Sequence, residues 1–440
     1  LRGTKKVHKR LKLFELIDVN DLASLAKIID GNLTGENKRF QYITTDSRRI
    51  NRDTLFLALL GEKYDGNDFC ETAIEAGAQA YISTKEIINK TGIVVEDTYL
   101  ALLKMARYQQ QQVNPKTLAI TGSNGKTTLK EMVAHILDEQ ESIKTKDNEN
   151  NQFGIPFTVL RLKPETRFLV LECGARKLGD FDLISEYLKF DVLAITNINN
   201  SHIEIFENQT NIIRTKTKLL GGLRVGGSFI DGAFEDWGTS DKLMEMNQTF
   251  RVNVHHNLER DSDTKPLTEN WNCTVVSGQE EGSLPGFFGL SFQQTLNSSS
   301  KRFQSPKKMN LGPRHNCHNA LLAILAAREL GVKCSESIER MCEFKIPLTN
   351  RYFLEYIGQH LLINDTYNAN PESFTSTIND LATNASYPKN KVLIIGDMLE
   401  LGQYSEDEHA KILQQAISLP NLKAIFVKGE QFKNLISTAK

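Results

Sequence analysis

Lys126, Thr127 and Thr128 follow two glycines, Gly122 and Gly125, within residues 117–137, TLAITGSNGKTTLKEMVAHIL. The glycines let the N–H groups of Gly122, Ser123, Asn124 and Gly125 turn inward without Cβ clashes, and a helix N-terminus adds about half a positive charge. Such a loop suits polyphosphate, with Lys126 reaching the β- and γ-phosphates and the Thr127 hydroxyl ligating Mg²⁺. It is a short T-G-x-x-G-K-T-T form, because Ile120 stands where the common G-x-x-x-x-G-K-[ST] has its first glycine.

Other groups stand at the ends of apolar runs. Residues 168–171 end in Glu172, and residues 192–195 lead to Thr196-Asn197 and then His202. Open α/β sheets place ligands at the carboxyl ends of their strands, so Glu172 and His202 are expected to converge beside the loop as oxygen and nitrogen ligands for a divalent metal. Ser47 and Arg48 follow a strand-like run, where they hold a phosphate or line a solvated loop. Arg214, Lys216 and Lys218 alternate along an expected helix over 212–220, which reads as a solvated basic face. Asn316 and Asn319 precede an Ala- and Leu-rich helix over 320–330, where asparagine serves as a cap.

The elements that must position these groups alternate. Apolar runs over 40–45 and 55–60 and a helix over 73–80 precede a Gln-rich boundary at 108–113, after which the phosphate loop opens a second unit. Residues 233–306 are polar and weakly periodic, which suggests strands with variable loops. From about Pro347, strands over 352–357, 361–364, 391–395 and 423–427 alternate with helices and indicate a parallel α/β unit.

A length of 440 residues exceeds what one core holds. With 53 basic and 54 acidic residues, charge gives no case for nucleic acid or a membrane surface as the main partner. No apolar run approaches the ~18 residues of a membrane span. The six cysteines form no C-x-x-C pair and suit reduced thiols in a cytoplasm. Residues 1–12, LRGTKKVHKRLK, are a basic stretch without an initiating Met; they read as the tail of a trimmed frame and are assigned no function.

With these residues in place, the chain resembles the Mur ligase family of peptidoglycan synthesis from about Leu13 to its last residue. TGSNGKTT, the Asn-rich loop ending GIP, LECGAR, TN followed by His202, GPRHNCHNALLA, DTYNANPES and GDMLELG occur in the family's order and spacing. The resemblance implies three α/β domains. An N-terminal α/β substrate domain over 13–112 would bind the UDP-muramoyl group, and a central P-loop-type mononucleotide-binding domain over 113–345 would bind ATP. A C-terminal Rossmann-like ligase domain over 346–440 is expected to be incomplete, because the chain stops soon after Phe426-Val-Lys, before a final strand and a Lys-Gly-Ser-Arg-like segment.

The resemblance also implies the chemistry: ATP-dependent amide-bond formation through an acyl phosphate, with two Mg²⁺ ions, in a cytoplasmic monomer. DTYNANP followed by GDMLELG points to the member that joins D-alanyl-D-alanine to UDP-N-acetylmuramoyl-tripeptide. A sister ligase adding a single amino acid, or a non-catalytic nucleotide- or muropeptide-binding relative, is the alternative. Carried over from the family, Lys126 would hold the β/γ-phosphates, Thr127 and Glu172 one Mg²⁺, and His202 the second. Asn316 and Asn319 would face the adenine side, and Arg351 and Asp365 would close over the nucleotide. Ser47 and Arg48 match the motif near the uridine diphosphate, Asn150 and Asn151 the loop facing the muramoyl group, and Tyr367, Asn368 and Asn370 the loop facing the dipeptide. Lys216 falls on a position that many members carbamylate, which would turn a repelling ammonium into an anionic metal ligand. Departures are Lys218 for an acidic residue, Asn199 for glycine, Asn67 for histidine and Gln152 for glutamate.

Overall fold

A computed structural model describes residues 13–61, 63–138, 140–199, 203–233, 249–256, 267–277, 287–296, 299–313, 315–347 and 350–438. It divides into two compact units, one holding the described residues of Leu1–Pro115 and Thr145–Leu169, the other those of Lys116–Lys144 and Val170–Lys440.

In the first unit, helix α1 (Leu22–Ile29) is capped by Asp21, whose side chain accepts from the Ser24 N–H. Strands β1 (Asn32–Thr34), β2 (Tyr42–Thr44), β3 (Thr54–Leu57), β4 (Ala80–Ser83) and β5 (Gly92–Val94) form a sheet in the order β1-β5-β4-β3-β2. All neighbours are parallel except β1 and β5. The helix expected over 73–80 is instead α2 (Cys70–Glu75), and Gly77 at φ +106° turns the chain before β4. Helix α3 (Thr98–Val113) starts at Asp97, which accepts from two backbone N–H groups. The later segment of this unit adds α5 (Gly154–Val159), where Phe157 stacks on Phe14 at 5.1 Å.

The second unit is built on β6 (Lys116–Thr121), α4 (Lys126–Ile136), β7 (Ser142–Lys144), β8 (Phe168–Glu172), α6 (Asp182–Tyr187), β9 (Phe190–Ile195), α7 (Ile203–Phe206) and α8 (Gln209–Thr217). Strands β10 (Leu223–Asp231), β11 (Thr249–His256), β12 (Leu267–Ser277), β13 (Phe287–Leu296) and β14 (Ser299–Gln304) continue the same sheet, in the order β14-β13-β12-β11-β10-β9-β6-β8-β7, with β15 (Met309–Asn310) paired to β13. β6, β9 and β10 run parallel, whereas β10 to β14 are antiparallel. The described parts of the weakly periodic stretch are thus long strands, as expected of a sheet with one solvated face. The helix expected over 212–220 ends at Thr217 and tightens into a 3₁₀ turn over Lys218–Gly222. Helix α9 (Asn316–Glu329) lies buried along nearly its whole length, which explains its Ala and Leu content, and α10 (Cys334–Met341) follows.

The C-terminal elements share a core of Tyr352, Ile378, Leu381, Tyr387, Ile395, Met398, Leu401, Ile412, Ala416, Leu419 and Phe432. Strands β16 (Phe353–Ile357) and β17 (His360–Asn364) pair with each other antiparallel, so the expectation of an all-parallel unit fails here. Gly358, at φ +61°, sits in the tight connection that makes this hairpin possible. Helix α11 (Pro371–Thr383), β18 (Lys391–Gly396), α12 (Ser405–Ile417), β19 (Leu422–Lys428) and α13 (Glu430–Thr438) follow, with β18 and β19 parallel. No described helix is long and apolar enough to cross a membrane.

Candidate active site

The loop between β6 and α4 is held in shape from outside. Ser123 N–H donates to the Asn197 carbonyl at 2.9 Å and Asn124 N–H to Asn197 Oδ1 at 2.8 Å. Thr196 Oγ1 donates to the Asn124 carbonyl at 2.6 Å, and Asn199 N–H to Ser123 Oγ at 2.9 Å. The end of β9 therefore cradles the loop, and Asn199 contributes through its backbone. Gly122 at φ +144° and Gly125 at φ +82° adopt conformations that residues with side chains rarely take, and a Cβ on Gly122 would lie 1.9 Å from Thr196 Oγ1. Gly125 is the N-cap of α4, and no side chain caps the helix, an arrangement that leaves its first N–H groups to an anion.

Two lysines meet at this loop. Lys126 Nζ donates to the carbonyls of Gly122 at 2.7 Å and Ser123 at 2.9 Å, and Lys216 Nζ to Gly122 at 3.0 Å. Burial lowers the pKa of Lys126, opposed by Glu172 and reinforced by Arg351. Lys216 is only 4% exposed, so the solvated face expected for it is wrong at that position. Burial and then the charge of Lys126 hold its amine well below the ordinary lysine range. Lys218 points away, with its side chain 54% exposed and Nζ 3.7 Å from Asp182. Its charge therefore does not oppose a cation beside Lys216.

Glu172, 1% exposed at the end of β8, accepts from Thr127 Oγ1 at 2.9 Å. A carboxylate and a hydroxyl joined in this way are hard oxygen donors of the kind Mg²⁺ takes. Residue-type reasoning missed Lys130, buried one turn beyond Lys126, with Nζ 3.4 Å from Glu172 Oε2 and 3.2 Å from Glu131 Oε1. Glu131 Oε2 lies 2.6 Å from Lys144 Nζ, so charges alternate from β7 through α4 to Glu172. The available signal was a lysine on α4 spaced i,i+4 from Lys126. His202 lies outside the described residues.

Asn316 and Asn319 do not cap α9, whose N-cap is His315. Asn316 Nδ2 donates to the Leu311 carbonyl and Asn319 Nδ2 to Asn316 Oδ1, each at 2.7 Å. Asn319 also abuts the phosphate loop, where a Cβ on Gly125 would meet its Oδ1 at 2.9 Å. From the C-terminal elements, the Arg351 guanidinium carbon sits 3.6 Å from the centre of the Tyr367 ring. Asp365 accepts from Tyr352 N–H at 3.2 Å and Thr377 Oγ1 at 3.3 Å; desolvation raises its pKa against those bonds and Arg351. Asn370 caps α11 in a capping box with Ser373, and its Nδ2 donates to Asn124 Oδ1 in the phosphate loop at 3.0 Å. Asn368 is exposed beside them.

In the first unit, Asp46 caps the 3₁₀ turn Ser47–Arg49 and pairs with Arg48 at 2.8 and 3.0 Å. Asn151 Oδ1 accepts from the Phe153 and Gly154 N–H groups and so opens α5, preceded by Asn150. The Asn67 departure is held by side-chain bonds, whereas Gln152 contributes through its backbone. Asn67 Oδ1 accepts from Ser83 Oγ and Thr84 N–H, and the Gln152 carbonyl accepts from Tyr99 OH.

A strand, phosphate loop and helix facing a buried carboxylate, with an arginine and aspartate from a following α/β element, define a phosphate-loop, nucleotide-binding α/β protein. Family models match in order: the Mur ligase family catalytic domain over residues 39–114, the Mur ligase middle domain over 120–327, and the Mur ligase glutamate ligase domain over 354–438. The chain belongs to the Mur ligase family and has its three-domain α/β fold. It is 30% identical, over 94% of its own length and 85% of the relative's, to the UDP-N-acetylmuramoyl-tripeptide--D-alanyl-D-alanine ligase of Bacillus subtilis. The ligase of that name from Escherichia coli is 29% identical over 95% of this chain and 87% of its own. Among solved structures, MurF from Acinetobacter baumannii matches with a TM-score of 0.70 at 25% identity, covering 96% of this chain and 94% of that one. MurF ligase from Thermotoga maritima in complex with ADP shares the fold, with a TM-score of 0.69 at 21% identity over 90% of each chain.

Proposed function

We propose that this chain is an ATP-dependent ligase that joins D-alanyl-D-alanine to UDP-N-acetylmuramoyl-tripeptide, forming the pentapeptide precursor of peptidoglycan. The observation that carries the reading is the alignment of nearly the whole chain with ligases of that specificity. Support comes from a phosphate loop whose lysine, hydroxyl and facing carboxylate are all in place.

A carboxylate is a poor electrophile. ATP first transfers its γ-phosphoryl group to the terminal carboxylate of the tripeptide, and the dipeptide amine then attacks the resulting acyl phosphate and expels phosphate. No protein nucleophile is needed for this; the task is positioning and charge neutralisation. Lys126 holds the β/γ-phosphates, the uncapped N–H groups at the start of α4 face them, Ser123 and Asn124 shape the loop through their bonds to Asn197, and Arg351 and Asp365 close over the nucleotide. Asn316 and Asn319 border the adenine side. Thr127 and Glu172 would hold one Mg²⁺, and His202 with a carbamylated Lys216 a second. Bound there, Mg²⁺ would supply positive charge against that gathering on the transferring phosphoryl group. Ser47 and Arg48 serve the uridine diphosphate, Asn150 and Asn151 the muramoyl group, and Tyr367, Asn368 and Asn370 the dipeptide.

This reading assigns residues 13–112 to the UDP-muramoyl substrate, 113–345 to ATP and 346–440 to the ligase domain, in a cytoplasmic monomer. The test is phosphate release from ATP with UDP-muramoyl-tripeptide present and D-Ala-D-Ala added or omitted, followed by mass spectrometry of the nucleotide product. Dipeptide-dependent release with conversion to pentapeptide is the expected result. Release that responds to a single amino acid instead, or ATP binding without release, overturns it.

A further inference from the structure

Tyr352 follows Arg351 and has φ +51°, in the left-handed region where a bulky aromatic residue is an outlier. Such a conformation persists only where its surroundings over-determine it, and here they do. Its N–H donates to Asp365 Oδ1 at 3.2 Å. Its phenol donates to Asp380 Oδ2, on α11, at 2.6 Å, and its ring is buried in the C-terminal core. Tyr387 donates to the same Asp380 oxygen at 2.9 Å, with its hydroxyl 3.4 Å from that of Tyr352. Across the turned backbone, Arg351 stacks on Tyr367, and its buried Nε finds no acceptor among the described residues. A guanidinium held rigidly with a buried donor unspent is prepared for an anionic ligand.

We propose that Tyr352 is a positioning residue for Arg351: its phenol clamped on Asp380 and its amide clamped on Asp365 hold the left-handed turn that aims the guanidinium at the nucleotide phosphates. The proposal rests on the ligase reading above. Tyr387 shares the aspartate but not the turn, so it separates core packing from aiming.

The experiment measures binding of a non-hydrolysable ATP analogue and the KM values of the full chain beside Tyr352→Phe and Tyr387→Phe, each of which removes one phenol from Asp380. Both variants should lower the melting temperature comparably. Only Tyr352→Phe should weaken the analogue and raise the KM for ATP, by about tenfold, with the KM for D-Ala-D-Ala unchanged. A second pair reads the backbone directly: glycine adopts positive φ freely and alanine does not, so Tyr352→Gly should bind the analogue more tightly than Tyr352→Ala. Equal analogue binding by the two phenylalanine variants, or alanine binding as well as glycine, overturns the proposal alone. Failure of the unaltered chain to bind the analogue overturns the ligase reading and the proposal together. If the smaller variants do not fold, the phenylalanine pair decides.

Discussion

Lys126 and Lys216 donate to one oxygen, the carbonyl of Gly122, at 2.7 and 3.0 Å. Two ammonium groups so placed repel, and Lys216, the more buried, carries the consequence: its amine is held towards the neutral form, which is the nucleophile for CO₂. Labelled bicarbonate should therefore give a carbamate carbon signal in the native protein that disappears in Lys216→Arg. The same variant should lower kcat by about a hundredfold or more. Full turnover without any carbamate signal would exclude this role.

Gly122→Ala should be far worse than Gly77→Ala, although both glycines have positive φ. A Cβ at Gly122 meets Thr196 Oγ1 at 1.9 Å, whereas nothing lies within 4 Å of one at Gly77. Thr196 cannot step aside without releasing the Asn124 carbonyl. Urea unfolding should show a loss of about 2–4 kcal/mol for Gly122→Ala and about 1 kcal/mol for Gly77→Ala. Only the former should abolish ATP binding.

Lys130→Met removes a buried cation from between Glu131 and Glu172. Glu131 keeps Lys144, so the change removes the buried ion-pair partner of Glu172, a loss that typically costs about 3–5 kcal/mol, to be read from denaturant midpoints. Adding Glu172→Gln should recover part of that loss of stability in a double-mutant cycle. Strict additivity of the two changes would show that the alternating charges are not coupled.

Stability should fall on both sides of a plateau because of one cluster on β11, β12 and α9. His256 lies 3.4 Å from both Glu269 and Glu329, which push its pKa from 6.5 up to about 9. A raised folded pKa stabilises fully below 6.5, and the contribution is lost as pH climbs through about 9. Burial disfavours ionised Glu269, but His256, Arg328 and Trp271 outweigh it and hold the carboxyl below its ordinary 4.5; that contribution is present above 4.5 and lost in acid. Thermal melts should decline from pH 6.5 to 9, and His256→Asn should flatten that limb. A slope unchanged in the variant would assign it to other groups.

Local signals made part of this molecule legible. The phosphate loop is written in consecutive residues, and the apolar run ending in Glu172 announces both the strand and the carboxylate at its end. What escaped depends on distant partners. Lys130 reads as an ordinary helix lysine until β8 is known to bring Glu172 against α4. Asn316 reads as a cap until Leu311 supplies its acceptor. The basic face over 212–220 reads as solvated until Gly122 takes Lys216. The β16–β17 hairpin is not legible because strand spacing alone does not give pairing direction, and the helix expected over 73–80 ends at Glu75 because Gly77 turns the chain despite the neighbouring alanines.

The amide of Asn370 is used at both ends, its oxygen capping α11 and its nitrogen holding Asn124. Deamidation would keep the cap but set an anion against Asn124 Oδ1. That reaction needs the next residue's backbone nitrogen to attack the side-chain carbonyl, and Pro371 has no N–H to give. Asn124 has the opposite neighbour, Gly125, the least hindered successor for succinimide closure. The two asparagines of one hydrogen bond therefore age at opposite rates, and peptide maps of stored protein should find isoaspartate at 124 well before any at 370.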